Sequence, residues 1–340
     1  MKAKTLLGIL AVLLLAAAMA FAAGTGEPEE AEVDPDFPTR EIRLIIPYNP
    51  GGQSDTMGRQ VAGVIEREEL LDQPVVVTNI AGAGTRDALR EVHDARPDGH
   101  TVLFHHSAML TLGSLDLIPW HFTDFTVLAQ VAQAPMVVVT RAESPYDSIQ
   151  DLVDAAEGQP GEVQWAIQGG LGSNAHFIGE MLMDASEVEF RRVVYPGGAE
   201  ARAAILGGHA DWFITSLAES IPYVEAGDFK ILGISSAERH PGLEEIPTLR
   251  EQGVDMVFNI HSSIFAPAGV PESIKQRWDD VLYEVVNHED YVSFMESIYT
   301  QPRFLPEAEI LEAYQVQWDS IQDVARIVEE AAEDVERVEE

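Results

Sequence analysis

The sequence predicts an α/β protein with two lobes, each built on a doubly wound, mostly parallel sheet. From Glu41 onward, short runs rich in β-branched residues alternate with amphipathic stretches, and this alternation occurs twice along the chain. Several of the strand-like runs end in glycine-rich loops. Strands that alternate with helices at this spacing are typical of parallel sheets with helical crossovers. About 300 residues follow the N-terminal region, which is enough for two lobes of ordinary size.

The first round of alternation predicts three strands and two helices. The strands cover residues 42–46, 75–77 and 101–104. After the first strand, Ser54 or Asp55 can cap a helix whose apolar face begins at Met57. A second helix passes through Leu89 and Val92 before the turn that leads into the third strand. We expect this half of the alternation to form most of the first lobe.

The second round predicts four more strands and the return of the chain. The strands cover residues 163–167, 192–195, 211–215 and 230–235. Segments 135–140 and 262–265 are interpreted as the two crossings between the lobes. Lobe 1 is therefore predicted at 39–138 plus 262–330, and lobe 2 at 139–261. A stripe from Ile310 to Val328 at helical spacing predicts a helix that packs on lobe 1, and residues 331–340 form an acidic tail that we expect to fray.

The N-terminus predicts export. Lys2 and Lys4 precede an apolar run over residues 6–20, and Ala20-Phe21-Ala22 has the small-residue pattern of a cleavage site. We therefore predict a signal peptide at 1–22, cleaved near Ala22, and a disordered acidic leader at 23–38. The chain has no cysteine, so it can have neither a disulfide nor a lipid-modified cysteine. These features predict a periplasmic protein that is free rather than lipid-anchored.

The charge balance limits the possible partners. The chain has 57 acidic and 21 basic residues, a formal net charge of −36. Nucleic acids and anionic membrane surfaces need a cationic face, so we expect neither as a partner. An acidic surface with very few lysines is typical of proteins exposed to high salt, which screens the self-repulsion of such a charge. We therefore hypothesise a halophilic type of surface.

The loops after the strand-like runs ending near Ile46, Ile167 and Tyr195 are rich in glycine. In open parallel sheets, ligands bind beyond the carboxyl ends of the strands. Glycine allows backbone N–H groups to approach a ligand, and the start of the following helix adds positive partial charge. Such loops suit a phosphate or a carboxylate without any Lys or Arg. Glycine after a strand is also ordinary turn chemistry, so only two such loops on separate lobes favour an anion site.

At these loops the sequence resembles a known family. Residues 42–55, IRLIIPYNPGGQSD, resemble the opening motif I-R-L-I-V-P-F-x-P-G-G-x-x-D of the tripartite tricarboxylate transporter receptors, also called Bug proteins. The resemblance continues in order over nearly the whole mature chain. It includes QPVVV at 73–77, GAG at 82–84, PDGHT at 97–101, YPGG at 195–198, LGGHAD at 206–211, IPT at 246–248 and APAGVP at 266–271.

The resemblance implies a two-lobed periplasmic-binding-protein (Venus flytrap) fold whose cleft binds a small organic carboxylate for a membrane transporter. It implies two loops that act as jaws on the ligand, one before the first helix and one after residue 195. The ligand-binding residues expected from it are Tyr48, Asn49, Gly51, Gly52, Ser54 and Asp55 in the first jaw, Tyr195, Gly197 and Gly198 in the second, Ser107 on the wall of lobe 1, and Gly169, Ser173, Asn174 and His176 on the wall of lobe 2. We expect a monomer with no cofactor.

Two of these residues have a second interpretation. Asp55 can cap the helix after its loop or accept a hydrogen bond from the ligand, and the two roles can coexist. His176 can donate to a ligand, or it can be a histidine at a helix start whose hydrogen bonds are all made within the protein.

The chain also departs from the family pattern. The second jaw has Pro196 where the family often has Lys, Thr215 replaces a common Asp, and His105 and His106 replace smaller residues.

Two other classes of function would also fit an exported α/β protein. An α/β enzyme acting on an organic acid is one, but no nucleophile elbow, zinc-protease motif or phosphate-binding loop is present. An exported metal-binding receptor is the other, suggested by ten histidines that include His105 and His106. The histidines are scattered, which is more typical of packing or surface positions. A solute-binding receptor without catalytic residues is the function that the sequence predicts.

Overall fold

The computed structural model describes residues 37–82, 85–169 and 173–339, with all their side chains except those of 323 and 326–339. The predicted signal peptide and nearly all of the acidic leader lie outside the described residues. Among the described residues, no helix is both long and apolar enough to cross a membrane. The chain from Pro38 onward forms one compact unit, so the two lobes are regions of that unit and their boundaries stay a prediction.

The first region is a parallel β–α arrangement. Its strands are β1 (Ile42–Ile46), β2 (Val75–Asn79) and β3 (Thr101–His106), and its helices are α1 (Gln53–Arg67), α2 (Arg86–His93) and α3 (Ala108–Ser114). β1 pairs in parallel with both of the other strands. The apolar side chains of β1 and β3 are fully buried, which explains why their sequences read as continuous apolar runs.

A long strand joins the two regions. β4 (Phe125–Arg141) is 17 residues long and follows a short 3-10 turn at Phe122–Asp124. Its first part, as far as Pro135, pairs with β9 (Asn259–Pro267). From Met136 onward it pairs with strands of the second region. β4 therefore changes sheets between Pro135 and Met136, and β9 begins at the same point on the return path.

The second region repeats the β–α order. Its strands are β5 (Gln164–Gln168), β6 (Arg191–Tyr195), β7 (Trp212–Ser216) and β8 (Phe229–Ile234), its helices are α4 (Ile149–Gly158), α5 (Asn174–Ser186), α6 (Gly198–Leu206) and α7 (Leu217–Glu225), and a 3-10 turn lies at Arg250–Gln252. β5 pairs in parallel with β6 and β7. β7 and β8 pair with β4 in antiparallel orientation, so the complete sheet is mixed.

The C-terminal part returns to the first region. It consists of α8 (Glu272–Asn287), α9 (Glu289–Ser297), β10 (Gln301–Pro306) and α10 (Glu307–Glu339). β10 adds to β4. α10 contacts both α3 and α5, so it packs on both regions. The sequence predicted packing on lobe 1 alone. A helix of 33 residues is roughly 50 Å long, which allows it to reach both. The acidic tail, expected to fray, is helical as far as Glu339.

Candidate functional site

The first glycine loop turns the chain from β1 into α1. Gly52 is the N-cap residue of α1, and no side chain caps the first turn of the helix at that position. Gly51 has a φ of +84°, a left-handed conformation that strongly favours glycine. Both glycines are exposed, and the Gly52 N–H donates to the carbonyl of Asn49 at 3.4 Å. The loop therefore presents backbone at the start of a helix, where positive partial charge accumulates.

Asp55 fastens this loop to the first region. Its carboxylate is buried and accepts hydrogen bonds from the Gly51 N–H at 2.8 Å, the Arg59 Nε at 3.0 Å and the Asn79 Nδ2 at 2.8 Å. The Arg59 hydrogen bond is the main reason why the pKa of Asp55 is lowered to about 2. These protein donors use both carboxylate oxygens. Neither Ser54 nor Asp55 caps α1, because the N-cap is Gly52, so the capping interpretation of Asp55 is wrong. Its contacts instead tie the loop to the first turn of α1.

Tyr48 and His106 form a directed pair. The Tyr48 Oη lies 2.7 Å from the Nε2 of His106, and the two rings are stacked with centroids 5.2 Å apart. The Nδ1 of His106 accepts a hydrogen bond from the Ala108 N–H at 3.2 Å. Burial lowers the pKa of His106 to about 4, so the ring is neutral near pH 7 and carries one N–H, on Nε2. His106 therefore donates to Tyr48, and the Tyr48 O–H is left free to donate elsewhere.

His105, the neighbour of this pair, is fully buried. Its Nδ1 donates to the His106 carbonyl at 2.6 Å, while its Nε2 is buried with no hydrogen-bond partner among the described residues. Burial lowers the pKa of His105 to about 3, so this ring is neutral as well. Ser107 is buried, and its hydroxyl accepts the His261 N–H at 3.2 Å. That bond still leaves the Ser107 hydrogen available to another acceptor.

In the second region, the loop after β5 is described at its two ends, Gly169 and Ser173. Gly169 has a φ of +79°, and residues 170–172 of this loop lie outside the described residues. The Ser173 hydroxyl donates to the Gln168 carbonyl at 2.8 Å and accepts the His176 N–H at 3.3 Å. Ser173 is thus the N-cap of α5, and most of its hydrogen-bonding capacity is used within the protein.

One hydrogen bond connects the two regions at this point. The Thr111 hydroxyl of α3 donates to the Oδ1 of Asn174, the first residue of α5, at 3.0 Å. The start of α5 therefore lies directly against the helix that follows β3. This contact brings the carboxyl ends of β3 and β5 together across the groove between the regions.

His176 lies in the core and not in the groove. It is fully buried, and its Nε2 lies 3.1 Å from Glu180. Glu180 is also buried and accepts two further hydrogen bonds from Arg192, at 2.5 and 2.6 Å. Burial alone would raise the pKa of Glu180, but these bonds outweigh it and lower that pKa. The structure therefore supports the interpretation of His176 as a satisfied helix-start histidine.

An arginine side chain that was not among the predicted site residues lies near the second glycine loop. Gly197 is the N-cap of α6, and a Cβ built at Gly198 would lie 3.0 Å from the Nη1 of Arg202. Arg202, one turn into α6, therefore lies beside the first residue of its own helix, where the Oε1 of Gln168 is slightly closer at 2.8 Å. A Cβ at Gly197 would instead lie 3.0 Å from the Oε2 of Glu200. The Arg202 side chain is 22% exposed and lies 3.9 Å from Glu219. A guanidinium therefore stands beside this loop, although Pro196 occupies the position where the family often has Lys.

Glu219 lies next to the position of another departure. Thr215, at the end of β7, donates its hydroxyl hydrogen to Glu219 at 2.6 Å. Ser216 caps α7 by accepting the Glu219 N–H. The sequence Ser216-Leu217-Ala218-Glu219 has the S-x-x-E pattern of a helix start, which would have identified this loop. A carboxylate therefore lies within hydrogen-bond distance of the Thr215 hydroxyl.

The groove between the two regions contains a small cavity of about 80 Å³. Its walls combine the start of α1, His106, the start of α7 and the strands β4 and β9, and include Ser54, Ser216 and Ala218. Of the predicted site residues, only Ser54 lines it. Among the described residues, no hydrogen bond or ion pair joins the loop at 48–55 to the loop at 195–198. The first jaw therefore faces the β7–α7 loop, which was not predicted.

The electrostatic character of the groove follows from the topology. α1, α5, α6 and α7 all begin at the carboxyl ends of parallel strands, and each helix start carries positive partial charge. The described residues include no group of three or more His, Asp or Glu side chains arranged to hold a metal ion. The groove therefore offers backbone N–H groups and hydroxyls, a set of donors that suits an anion with oxygen acceptors.

Comparison with known proteins adds to this geometry. A family model described as the tripartite tricarboxylate transporter family receptor matches residues 57–331, which begins just after the first glycine loop. The protein BugT of Bordetella pertussis is 30% identical over 257 residues, covering 74% of this chain and 77% of BugT.

Solved structures resemble this one over most of its length. A TctC solute binding protein from Polaromonas, crystallised without ligand, has a TM-score of 0.77 and 24% identity and covers 87% of this chain and 99% of its own. Rpa4515 of R. palustris, solved with adipate, has a TM-score of 0.68 and 25% identity and covers 85% of this chain and 98% of its own. The fold is the two-lobed fold of periplasmic binding proteins.

Proposed function

The chain belongs to the tripartite tricarboxylate transporter receptor family, and from that premise we propose that it captures a small organic carboxylate in the groove between its lobes and delivers it to membrane transporter subunits. The predicted signal peptide and the absence of cysteine support a periplasmic receptor that is not lipid-anchored. The adipate of Rpa4515 belongs to the same chemical class. The family consists of receptors, which favours binding without catalysis.

The observation that carries this proposal is the position of Arg202 beside Gly198, the first residue of α6. A carboxylate at this loop would meet the N–H groups of the first turn of α6 and the guanidinium together. Hydrogen bonds between charged partners are about twice as strong as neutral ones. Arg202 also lies close to Glu219, which limits its conformations before the ligand arrives. We therefore assign to Arg202 the role that Lys often has in the family.

The first lobe would supply neutral donors to the same ligand. The Tyr48 hydroxyl, directed by His106, and the N–H groups of Gln53 and Ser54, which line the groove cavity, lie on the opposite side of the groove. On closure, the ligand would replace water on these groups, and the lobes would rotate about β4 and β9, where the chain crosses. The closed form would then present the surface that the membrane subunits recognise.

The proposal is tested by titration calorimetry of the mature protein in molar salt with adipate, malate and a panel of other organic acids. Arg202→Gln should weaken the binding of the best acid by about 10- to 100-fold, because a hydrogen bond to a charged group contributes about 1.5–3 kcal/mol. Arg191→Gln is the matched control, because Arg191 is exposed and has no ion pair among the described residues. Absence of binding by any organic acid would contradict the function, and equal losses in both variants would contradict the role of Arg202.

A further inference from the structure

A second, larger cavity lies on the opposite face of the strands that join the lobes. Side chains alternate between the two faces of a strand. On β4 and β9, Ala134 and Ile260 are paired and face the groove between the lobes, whereas Gln133 and His261 are paired and face the second cavity. This cavity, which we call the hinge cavity, has a volume of about 840 Å³. That volume is in the range of small-molecule sites, roughly 300–1,000 Å³.

The floor of the hinge cavity is a row of neutral hydrogen-bonding side chains. Gln301 of β10, Gln133 of β4 and His261 of β9 lie on three adjacent strands. Gln133 donates to Gln301 at 2.9 Å, and His261 is paired with Gln130 at 2.7 Å. Burial, with a further contribution from Arg303, lowers the pKa of His261 to about 4, so the floor is uncharged near pH 7. A sheet face lined with amides and imidazole suits a polar ligand better than it suits packing alone.

Three charged side chains around the hinge cavity have no side-chain partner in the part of the chain that the structure describes. Arg303, Glu238 and Glu296 all line it, and none of them makes a hydrogen bond or ion pair through its side chain with the described residues. Arg239, by contrast, is paired with Glu251 at 2.8 Å. Arg303, Glu238 and Glu296 are all exposed, so charges of both signs stand at the rim of the cavity, around its neutral floor.

The wall of the cavity also contains unsatisfied buried groups. His240 is 8% exposed, and neither of its ring nitrogens has a hydrogen-bond partner among the described residues. The same is true of the Oδ1 of Asn259, which is 9% exposed. Buried polar atoms are nearly always satisfied in native proteins. If a polar molecule occupied the cavity, these two side chains could rotate toward it and form the missing hydrogen bonds.

We propose that the hinge cavity is a second binding site, for a small zwitterion of the α-amino acid class, and that its occupancy is coupled to closure of the ligand groove. A carboxylate of the zwitterion pairs with Arg303, and its ammonium group pairs with Glu296 or Glu238. Its side chain lies against Leu305 and Tyr299, a residue that also lines the groove cavity. A simple anion or cation would satisfy only one sign of charge. The coupling rests on the proposed function, whereas the binding does not.

Coupling follows from the origin of the cavity walls. Residues 236–243 follow β8 and belong to the predicted lobe 2, while residues 296–305 belong to the predicted lobe 1. Rotation about β4 and β9 therefore changes the distance between these two walls when the groove on the other face opens or closes. A ligand that fits one separation better than the other shifts the equilibrium between open and closed forms.

Binding is tested by thermal shift and calorimetry of the mature protein in molar salt with each of the standard amino acids as probe. At least one should bind the wild type, and Arg303→Ala should weaken it at least tenfold. Arg191→Ala, the same change at an exposed arginine outside the cavity, should leave its affinity unchanged. Gly197→Val alters the groove on the other face, where a new Cβ meets only the tip of Glu200. An amino acid whose binding is lost in Gly197→Val but kept in Arg303→Ala would overturn the proposal, as would a panel without any binder.

Coupling is tested by repeating the organic acid titration with the hinge cavity saturated by that amino acid. The affinity for the organic acid should change at least threefold, and the effect should be reciprocal when the order of addition is reversed. Arg303→Ala should bind the organic acid normally but show no such effect. An unchanged affinity in the wild type would overturn the coupling. Failure of the proposed function is a separate result, because it appears as absence of organic acid binding without any amino acid.

Discussion

At the residue scale, Tyr48 shows how two departures from the family pattern act together. The family motif often has Phe at this position and smaller residues at 105 and 106, and this chain has a tyrosine and two histidines instead. His106 receives a backbone hydrogen bond on one nitrogen and gives one to Tyr48 from the other. The hydroxyl hydrogen of Tyr48 is thereby directed away from His106. The pair converts an apolar position of the family into a hydrogen-bond donor, which would favour ligands with an acceptor oxygen at that point.

Tyr48→Phe should therefore weaken the binding of the preferred organic acid by about tenfold, because a hydrogen bond to a charged acceptor contributes about 1.5 kcal/mol or more. Calorimetry in molar salt measures the change, and the melting temperature of the free protein should also fall, because the variant leaves the Nε2–H of His106 without its acceptor. Tyr283→Phe is the control, because Tyr283 is 53% exposed and lies on α8. A variant that keeps full affinity would show that the Tyr48 hydroxyl serves only to hold His106.

At the element scale, α5 packs closely on β5 because one of its residues is a glycine. Gly179 lies in the middle of α5, and a Cβ at this position would overlap the indole ring of Trp165. Trp165 is fully buried and stacks on Trp212, with ring centroids 5.4 Å apart. Neither ring can move without displacing the other. The close contact of α5 with β5 therefore depends on the absence of a side chain at one position.

Gly179→Ala should lower the free energy of unfolding by about 2–3 kcal/mol, because overpacking in a dense core outweighs the better helix propensity of alanine. Gly158→Ala is the matched control at the end of α4, where a new Cβ meets no atom within 4 Å. Chemical denaturation in molar salt compares the two. Equal effects in both variants would mean that α5 can shift away from β5 at little cost.

The elements that the sequence predicted well are those with a local signal. β1 has the predicted bounds, and β5 to β8 lie within one residue or so of the predicted runs, because each is a short apolar run next to a turn. β10 was not predicted, since it contains Pro302 and Pro306 and proline argues against a strand. The burial of His176 and the reach of Arg202 toward Gly198 could not be predicted, because both depend on which elements pack together. The β7–α7 loop was not predicted because it contains no glycine, and glycine-rich loops were the signal that predicted the site.

At the scale of the whole molecule, charge is the property that the sequence alone makes most extreme. The described ion pairs are mostly exposed, as in Arg43 with Glu91 and Arg250 with Asp255, and such pairs contribute about 0–1 kcal/mol each. They cannot offset the repulsion among the excess carboxylates, because the formal net charge is −36. Salt screens these exposed charges over a distance of about 10 Å at 0.1 M and about 3 Å at 1 M. Folding of this chain should therefore depend on salt.

The melting temperature of the mature protein should rise by roughly 5–10 °C between low and molar KCl, which corresponds to a few kcal/mol of relieved repulsion. A variant in which Glu143, Glu225, Glu245 and Glu312 are replaced by Gln separates screening from general salt effects. All four are exposed and form no ion pair among the described residues, so the variant should be more stable than the wild type at low salt and gain less from added KCl. Equal gains in both proteins would attribute the effect to the salt itself, and no gain in the wild type would remove the halophilic interpretation. The same measurement of melting temperature against KCl concentration sets the salt concentration for every binding experiment. Rotation of the lobes toward each other brings their acidic surfaces closer, so closure should also become easier as salt screens these charges.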